Sequence, residues 1–315
     1  MLRFLLRRLV MLVITLVVSS FVIYSAMYLA PGNPIAALTG GRTPSPQAIK
    51  VLEARYHLND PFLVRYVNWA GNALTGDLGV SIPLRQDVST LIRQRVGTTV
   101  QLVLYATLII VVVGIGLGIV GGLKRGFVDG LVIVLTTIGA AVPSFVAAIL
   151  LLSLFAVNLG WFPALGAGDG FFDQIRHLTL PAIALAFSSV ALIARVTRTA
   201  VREELRREHV QTATSRGIPR ALIVRRHVLR NAAIPITTVV GITIASLFAA
   251  SAIVERAFSL NGIGAYLIQA APSKDMAVVQ GITLVIVTVF VVVNTIVDVL
   301  YAVLDPRVSL GSRAQ

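Results

Sequence analysis

The chain has 315 residues, of which 56% are hydrophobic and only 13% are charged, and its mean hydropathy is +0.86. Because soluble domains carry about 25% charged residues, this composition excludes an ordinary soluble protein and predicts a membrane protein. The formal net charge of +13 does not indicate nucleic acid, since ten of the 27 basic residues lie between Arg195 and Arg230, beside apolar segments. The absence of cysteine excludes disulfides and thiolate metal sites.

Six apolar segments are long enough to cross a bilayer, for which about 17 to 25 residues are needed. They are Leu9–Leu29, Thr98–Leu123, Leu131–Val157, Leu178–Ala194, Ile234–Val254 and Val278–Leu300, of which the fourth is the shortest. The first segment follows three arginines but is longer than the core of a signal peptide, so we predict a permanent span.

Residues 31–97 separate the first two spans. The turn signals PGNP and TPSPQ are followed by a predicted helix at Pro46–Tyr56 and by a stretch that mixes aromatic residues with Gly and Asp. This composition predicts a small cap on the membrane surface.

Most Lys and Arg residues of the short loops fall on one side of the six predicted spans, and only Arg176, Arg256 and Lys274 fall in short segments on the other side. The segments on the basic side are the N-terminus, the turn with Lys124 and Arg125, the loop that starts at Arg195 and the C-terminal tail. Positive charge marks the cytoplasmic side, so both termini and the loop are predicted to be cytoplasmic.

The segment Arg202–Pro235 is the most informative of these loops. Val201–Arg216 has neither Gly nor Pro and predicts a helix, Gly217 suits a left-handed C-terminal cap, and Pro219 suits the first turn of a second helix. The apolar positions of that second helix recur at three- and four-residue steps: Ala221, Val224, Val228 and Ala232. Composition alone is equally consistent with a docking element and with a basic loop that sets topology and contacts anionic lipid.

Signals for catalysis are weak. Gly166-Ala167-Gly168-Asp169 matches the GxGD of intramembrane aspartyl proteases, but it lies in a Gly-rich loop and predicts a turn. The four histidines are too scattered for a metal site. No acidic residue lies at a span centre, and Asp298 comes closest, near the end of the sixth span, so an ion-coupled carrier is disfavoured. No GxxxxGK[ST] phosphate-binding loop occurs, so energy from ATP would have to come from other polypeptides.

The loop motif then resembles a known family. Gln211-Thr212-Ala213, three residues, Gly217, nine residues and His227-Val228-Leu229-Arg230 resemble the EAA loop of ABC importer permeases, in the form with a later proline, here Pro235, found in peptide permeases. Further strings fall in the order of the B-type subunit of the dipeptide, oligopeptide and nickel branch. They are LAPGNP (29–34), YHLNDP (56–61), GDLGVS (76–81), AVPSF (141–145), LGWFPALG (159–166), HLTLPAIAL (177–185), VERAFSLNGIG (254–264) and VDVLYAVLDPRV (297–308). Asn261 departs from the family, which usually has Pro there.

The resemblance implies an all-α polytopic membrane protein with six transmembrane helices and the type I ABC importer permease fold. It divides the chain into an N-terminal transmembrane helix (1–30), an extracytoplasmic segment (31–97) and a type-1 ABC transmembrane domain (98–305) that includes the coupling loop 202–235. A cytoplasmic tail (306–315) follows. The implied location is the bacterial cytoplasmic (inner) membrane.

The resemblance also implies the function, a permease subunit without catalytic residues, cofactor or metal of its own. The expected partners are a homologous second permease, two ATP-binding subunits that hold ATP and Mg, an extracytoplasmic substrate-binding protein, a peptide substrate and membrane lipid. The residues expected to couple to the ATPases are Gln211, Thr212, Ala213, Arg216, Gly217, Arg220, Arg225 and Arg226. The alternatives are a nickel or other small-solute permease, an ion-coupled carrier or channel, and a membrane protease.

Overall fold

The computed structural model describes residues 2–29, 60–81 and 83–304, together with the single positions 45, 47 and 50. Apart from these single positions, the predicted helix Pro46–Tyr56 and the turn signals before it lie outside the described residues, as does the tail 306–315. The helices, in chain order, are α1 Leu2–Leu29, α2 Phe62–Leu74, α3 Val88–Leu123, α4 Phe127–Ala141, α5 Ser144–Asn158, α6 Phe171–Leu205, α7 Glu208–Ser215, α8 Arg220–Ala257, α9 Ile263–Ala270 and α10 Met276–Leu304. The strands β1 (Val80–Ser81) and β2 (Gln86–Asp87) form an antiparallel pair.

Five described helices are long and apolar enough to cross a membrane: α1, α3, α6, α8 and α10. The helices α4 and α5 make a sixth crossing if the bent pair counts as one span. The third predicted span, Leu131–Val157, is therefore not a straight helix. Its two halves meet at an angle of 98° beside Pro143, which precedes the first residue of α5 and cannot donate a backbone hydrogen bond.

Helix α6 forms the centre of the bundle and packs against α3, α4, α5 and α8. The predicted fourth span, Leu178–Ala194, lies within this helix, which extends beyond it at both ends, from Phe171 to Leu205. The residues added from Arg195 to Leu205 are mostly polar and contain no Gly or Pro, so they extend the helix beyond the apolar run that hydropathy detects. The small residues of AFSSVA (186–191) include Ala186 and Ala191, which are buried in this packing.

Glycines allow α3 to lie very close to α6. A β-carbon at Gly118 would be 2.6 Å from the carbonyl oxygen of Ala194, and one at Gly122 would be 2.7 Å from Cγ1 of Val201. Small residues four apart let two membrane helices approach backbone to backbone, as in other transmembrane pairs. This contact leads directly to the part of α6 that enters the loop 202–235.

The bundle has two ends, which we call the loop end, where α6 enters α7, and the far end, which carries α9 and the β-strands. At the far end the Ser81 hydroxyl of β1 donates to Oδ2 of Asp275 at 2.5 Å, and the Asp275 side chain is only 2% exposed. Burial raises the pKa of the Asp275 carboxyl above its ordinary value. Burial likewise raises the pKa of the neighbouring Tyr266 hydroxyl.

Candidate functional site

The turn of the loop 202–235 has the geometry that its sequence predicts at Gly217. Gly217 has φ +73°, its N–H donates to the carbonyl of Thr214 at 3.0 Å, and the N–H of Ile218 donates to the carbonyl of Ala213 at 3.2 Å. These two bonds form the Schellman motif, which ends a helix with a left-handed residue. The chain therefore reverses sharply just after α7.

The helix predicted at Val201–Arg216 is interrupted, and this prediction is wrong as stated. The helix α6 ends at Leu205, Arg206 and Arg207 form a turn, and α7 begins at Glu208. The turn directs α7 away from the axis of α6, so that Val210 and Ala213 face back toward the bundle, 5% exposed each. Propensity alone does not show this break, because it results from that tertiary packing.

The second helix of the loop starts at Arg220, so Pro219 precedes it as its N-cap and does not lie in its first turn as predicted. The buried face of this helix also differs from the predicted stripe. Ala221 is exposed, and Ile223 is buried in its place together with Val228 and Ala232. A π-helical turn at Val224–Val228 accounts for the difference. Such a turn holds an additional residue, so the buried positions are five apart across it and four apart after it.

A hydrophobic cluster lies beneath the loop and joins it to the spans. Its members come from the end of α6, from α7 and from the start of α8: Val201, Val210, Ala213, Ile223, Val228, Ala232 and Ile236. Ile119 and Leu123 of α3 pack against the same cluster. Burial of apolar side chains from all these helices makes the loop a packed extension of the bundle.

Polar side chains also close the base of the loop. Oε1 of Glu204 accepts a hydrogen bond from Nδ2 of Asn231 at 2.8 Å and lies 3.0 Å from Nε2 of His209. The aromatic ring of His227 lies beside that of His209, with centroids 6.1 Å apart. One carboxylate thus links the end of α6 to α7 and to α8.

A second acidic side chain joins α4 to α6 at the loop end. Asp129, in the first turn of α4, receives two hydrogen bonds from Arg198 at 2.6 and 3.0 Å and lies 2.7 Å from Nη2 of Arg202. The Arg202 guanidinium also donates to the carbonyls of Gly121 and Lys124. The bidentate pairing of the Arg198 guanidinium with the Asp129 carboxylate attracts α4 to α6 and also restricts the distance and orientation between them.

The outer surface of the loop is polar and basic. Gln211, Thr212, Arg216, Gly217 and Arg220 are exposed, whereas Ala213 supports this surface from beneath. Arg225 and Arg226 are also exposed and line a cavity of about 790 Å³ with Leu222, His227, Arg230 and Asn231. Within the described part of the chain, the arginines of this outer surface, Arg216, Arg220, Arg225 and Arg226, form no ion pair with a carboxylate.

The GxGD motif that ends at Asp169 lies outside the loop 202–235. Asp169 is exposed, and its N–H donates to Oδ2 of Asp173 at 2.9 Å, as in a turn before α6. Among the described residues, no three His, Asp or Glu side chains are placed to hold a metal ion.

Sequence reasoning did not identify the pairing of Asp129 with Arg198 or that of Glu204 with Asn231, because the two partners of each pair lie in different helices.

The chain is therefore a bundle of helices long and apolar enough to cross a membrane, with an exposed, basic loop packed onto one end. Its fold is similar to that of the MetNI methionine ABC transporter in inward-facing conformations, with a TM-score of 0.54 and 16% sequence identity over 68% of this chain and 96% of the other. This likeness confirms the predicted type I ABC importer permease fold.

Residues 114–310 match the family described as binding-protein-dependent transport system inner membrane component, and residues 1–103 match the N-terminal part of the same membrane components. The chain belongs to this family. The predicted membership of the ABC importer permeases is thereby confirmed, and the protein is a multi-pass protein of the inner membrane.

Curated relatives span almost the whole chain. The dipeptide transport system permease protein DppB of Alkalihalophilus pseudofirmus is 34% identical, with 98% of this chain and 99% of the relative covered. The di/tripeptide transport system permease protein DppB of Pseudomonas aeruginosa is 35% identical with the same coverage. The oligopeptide transport system permease protein OppB of Escherichia coli is 33% identical, again over 98% and 99%.

Proposed function

We propose that this chain is the membrane-spanning permease subunit of an ATP-driven importer of dipeptides or short oligopeptides. The names of the three relatives, which cover the chain from end to end, support the peptide substrate. The single observation that carries the coupling role is the loop 202–235, which is packed onto the spans from below and presents an exposed, basic surface outward.

The proposed orientation places the loop end of the bundle and both termini in the cytoplasm. Ten basic residues between Arg195 and Arg230 support this assignment, because positive charge in short loops is retained on the cytoplasmic side. The far end then faces the extracytoplasmic space, where a separate binding protein delivers the substrate.

The proposed partners are two ATP-binding subunits, a homologous second permease and the substrate-binding protein. The chain has no GxxxxGK[ST] motif, so ATP and Mg are assigned to the ATP-binding subunits and no cofactor to this chain. The second permease supplies the other half of the pathway, since five or six spans of one chain enclose too small a channel on their own.

In this mechanism the two ATPases draw together when they bind nucleotide and displace the loops docked on them. Gln211, Thr212, Arg216, Gly217 and Arg220 form the contact surface, Arg225 and Arg226 meet acidic or backbone acceptors, and Ala213 holds the surface in place. The hydrophobic cluster and the Glu204 carboxylate pass the displacement to α6 and α8. The bundle then alternates between inward-facing and outward-facing states.

Substitution of Gly217 by Val tests the coupling role. Val is strained at φ +73° because its β-carbon crowds the backbone, so the turn at the tip of the loop is disrupted. Uptake of a labelled dipeptide by proteoliposomes that contain the complete importer should fall at least about tenfold, on the scale of about 1.4 kcal/mol of lost coupling.

The matched control is Gly160→Val at the far end. Gly160 also has positive φ, +64°, and like Gly217 it has no atom within 4 Å of an added β-carbon, so the backbone strain is comparable. Peptide uptake should be retained in this variant. Normal uptake by Gly217→Val at normal membrane abundance would overturn the coupling role.

The orientation is tested with single cysteines, which the chain itself lacks. Thr212→Cys at the exposed surface of α7 should react with a membrane-impermeant maleimide in inside-out vesicles from cells that lack the ATP-binding subunits, and should be protected in intact cells. Reaction of Thr212→Cys in intact cells would place the loop outside and contradict the proposal.

A further inference from the structure

Glu255 is a fully buried acidic residue at the far end of α8. Its side chain is 0% exposed, and among the described residues it forms no ion pair with a basic side chain. A buried carboxylate needs hydrogen-bond donors in place of the water that it has lost. The identity of those donors therefore shows what Glu255 holds.

The donors come from three different helices. Oε1 of Glu255 accepts from the Thr99 hydroxyl of α3 at 2.7 Å and from the Ser251 hydroxyl of α8 at 3.0 Å. Oε2 accepts from the N–H of Ala265 in α9 at 2.8 Å. The Thr99 oxygen in turn accepts from the N–H of Ile263, the first residue of α9, at 3.0 Å. One carboxylate thus fastens α3 and the start of α9 to the end of α8.

The backbone between α8 and α9 closes directly over this carboxylate. A β-carbon at Gly262 would collide with both carboxylate oxygens of Glu255, and one at Gly264 would be 2.5 Å from Cα of Ala252. The turn therefore fits only against an end of α8 that carries this side chain in this position. Phe258 and Leu260, 1% and 3% exposed, fill the space beside it.

A carboxylate is a poor choice if only stability is required, because a well-packed apolar side chain would avoid the cost of burying charge. Directional hydrogen bonds instead select one arrangement of the three helices among several that apolar packing would permit. Glu255 lies on the same helix as part of the loop.

The helix α8 runs without a gap from Arg220 in the loop to Ala257, so Glu255 lies roughly 50 Å along this helix from the proposed docking surface.

We infer that Glu255 is a positioning residue for transport, which makes α9 and the extracytoplasmic end of α3 follow α8 when the loop end moves. This inference rests on the proposed function. Without the carboxylate, α8 can still be displaced by the docked ATPases, but its far end slides past α3 and α9. Nucleotide hydrolysis then continues while the far side of the pathway no longer opens in step with it.

The test compares four variants of the complete importer in proteoliposomes. Glu255→Leu removes every acceptor and leaves the N–H of Ala265 and the Thr99 hydroxyl without this partner, and Thr99→Val removes only the hydroxyl that bridges to Ile263. Glu255→Gln keeps the shape and an oxygen for Ala265, since its amide group can donate to the two hydroxyl oxygens. Ser246→Ala is the control, because the Ser246 hydroxyl bonds only within α8, to the carbonyl of Ile242.

Peptide uptake and ATP hydrolysis are measured on the same vesicles. We expect uptake to fall about tenfold in Glu255→Leu and about threefold in Thr99→Val, with ATP hydrolysis retained, so that more ATP is consumed for each peptide imported. Glu255→Gln should restore most of the uptake, and Ser246→Ala should equal the parent protein. A residue that served stability alone would lower uptake and hydrolysis together, in proportion to the amount of protein assembled.

A second readout reports the geometry directly. Spin labels on Gln94→Cys in α3 and Gln269→Cys in α9 occupy exposed positions in a chain without other cysteines. The distance between them should have a narrow distribution in the parent protein and in Glu255→Gln, and a broad one in Glu255→Leu and Thr99→Val.

Normal uptake with a narrow distance distribution in Thr99→Val and Glu255→Leu would overturn the inference. If Glu255→Leu does not assemble, Thr99→Val decides the question, because the replacement is nearly isosteric. The Gly217→Val variant separates this result from the proposed function. Uptake that is lost in Gly217→Val and normal in the Glu255 variants rejects the inference alone, whereas uptake that is normal in both rejects the coupling function as well.

Discussion

At the loop end, α8 is joined to its neighbours by charged and amide side chains that water partly reaches, such as Glu204, which is 14% exposed, and His209, which is 43% exposed. At the far end, the carboxylates of Glu255 and Asp275 are almost completely buried and accept hydrogen bonds from hydroxyl and backbone N–H groups. Acidic side chains thus join helices at both ends of the bundle, in a partly exposed setting at the loop end and in a buried one at the far end. Partly exposed contacts can be adjusted at little cost, whereas buried contacts specify one geometry.

Disruption of the tightly packed contact between α3 and α6 should lower the free energy of unfolding more than any other change considered. In Gly118→Val the new side chain overlaps α6, since a β-carbon there would lie 2.6 Å from the carbonyl oxygen of Ala194. We expect a loss of about 3 kcal/mol in the free energy of unfolding. Thermal unfolding of the purified protein in detergent should show a correspondingly lower unfolding temperature.

Gly116→Val is the matched control for this change. It lies in the same helix, and no atom lies within 4 Å of an added β-carbon. Its unfolding temperature should remain near that of the parent protein. An equal loss in both variants would show that the close contact between α3 and α6 is not the cause.

The far end should respond to pH through Asp275. Burial raises the pKa of this carboxyl above 3.8, so the folded protein binds more protons than the unfolded chain in the interval between the two pKa values. The stability that Asp275 contributes is therefore complete below about pH 4 and is lost as the pH rises through the folded-state pKa. The unfolding temperature of the parent protein should fall relative to that of Asp275→Asn as the pH is raised from about 4 to 7.

Asp87→Asn provides the control, because Asp87 is an exposed carboxylate in the neighbouring strand β2. Its unfolding temperature should follow that of the parent protein at each pH. A constant difference between the parent protein and Asp275→Asn across the whole pH range would exclude Asp275 as the source.

The exposed contacts at the loop end should give the smallest effect. Asn231→Ala removes the hydrogen bond to Glu204 at a site that water can fill, and we expect a loss of about 0.5 to 1 kcal/mol. Asn294→Ala serves as control, since the Asn294 amide bonds only within α10, to the carbonyl of Phe290. A loss in Asn231→Ala as large as that in Gly118→Val would contradict the contrast between the two ends.

Hydropathy located the membrane helices because a long run of apolar side chains is costly to expose to water and is stable inside a bilayer. It failed at the C-terminal end of α6, where the mostly polar residues from Arg195 to Leu205 continue the helix. It also gave no sign of the bend between α4 and α5, although Pro143 lies at the break. Local sequence thus predicts which segments are helical more reliably than where each helix ends.

The geometry of the loop 202–235 could likewise be predicted only where it depends on local sequence. The left-handed Gly217 follows from local backbone chemistry, whereas the burial of Ile223 in place of Ala221 depends on a π-helical turn that no residue pattern announces. The partnership of Glu255 with Thr99 joins residues 156 positions apart. Such contacts depend on the packing of whole helices, which a single sequence does not contain.

The π-helical turn at Val224–Val228 has a consequence for how the helix α8 is assembled. A π-helical turn holds one residue more than an α-helical turn. The helix therefore continues along one axis, but the side chains before the turn are rotated about that axis relative to those after it. Deletion of a single residue there would let the turn close to ordinary α geometry and rotate Arg220–Ile223 by about 100° relative to Leu229–Ala257. The direction in which Arg220–Ile223 presents its side chains relative to the rest of α8 is therefore set by one additional residue.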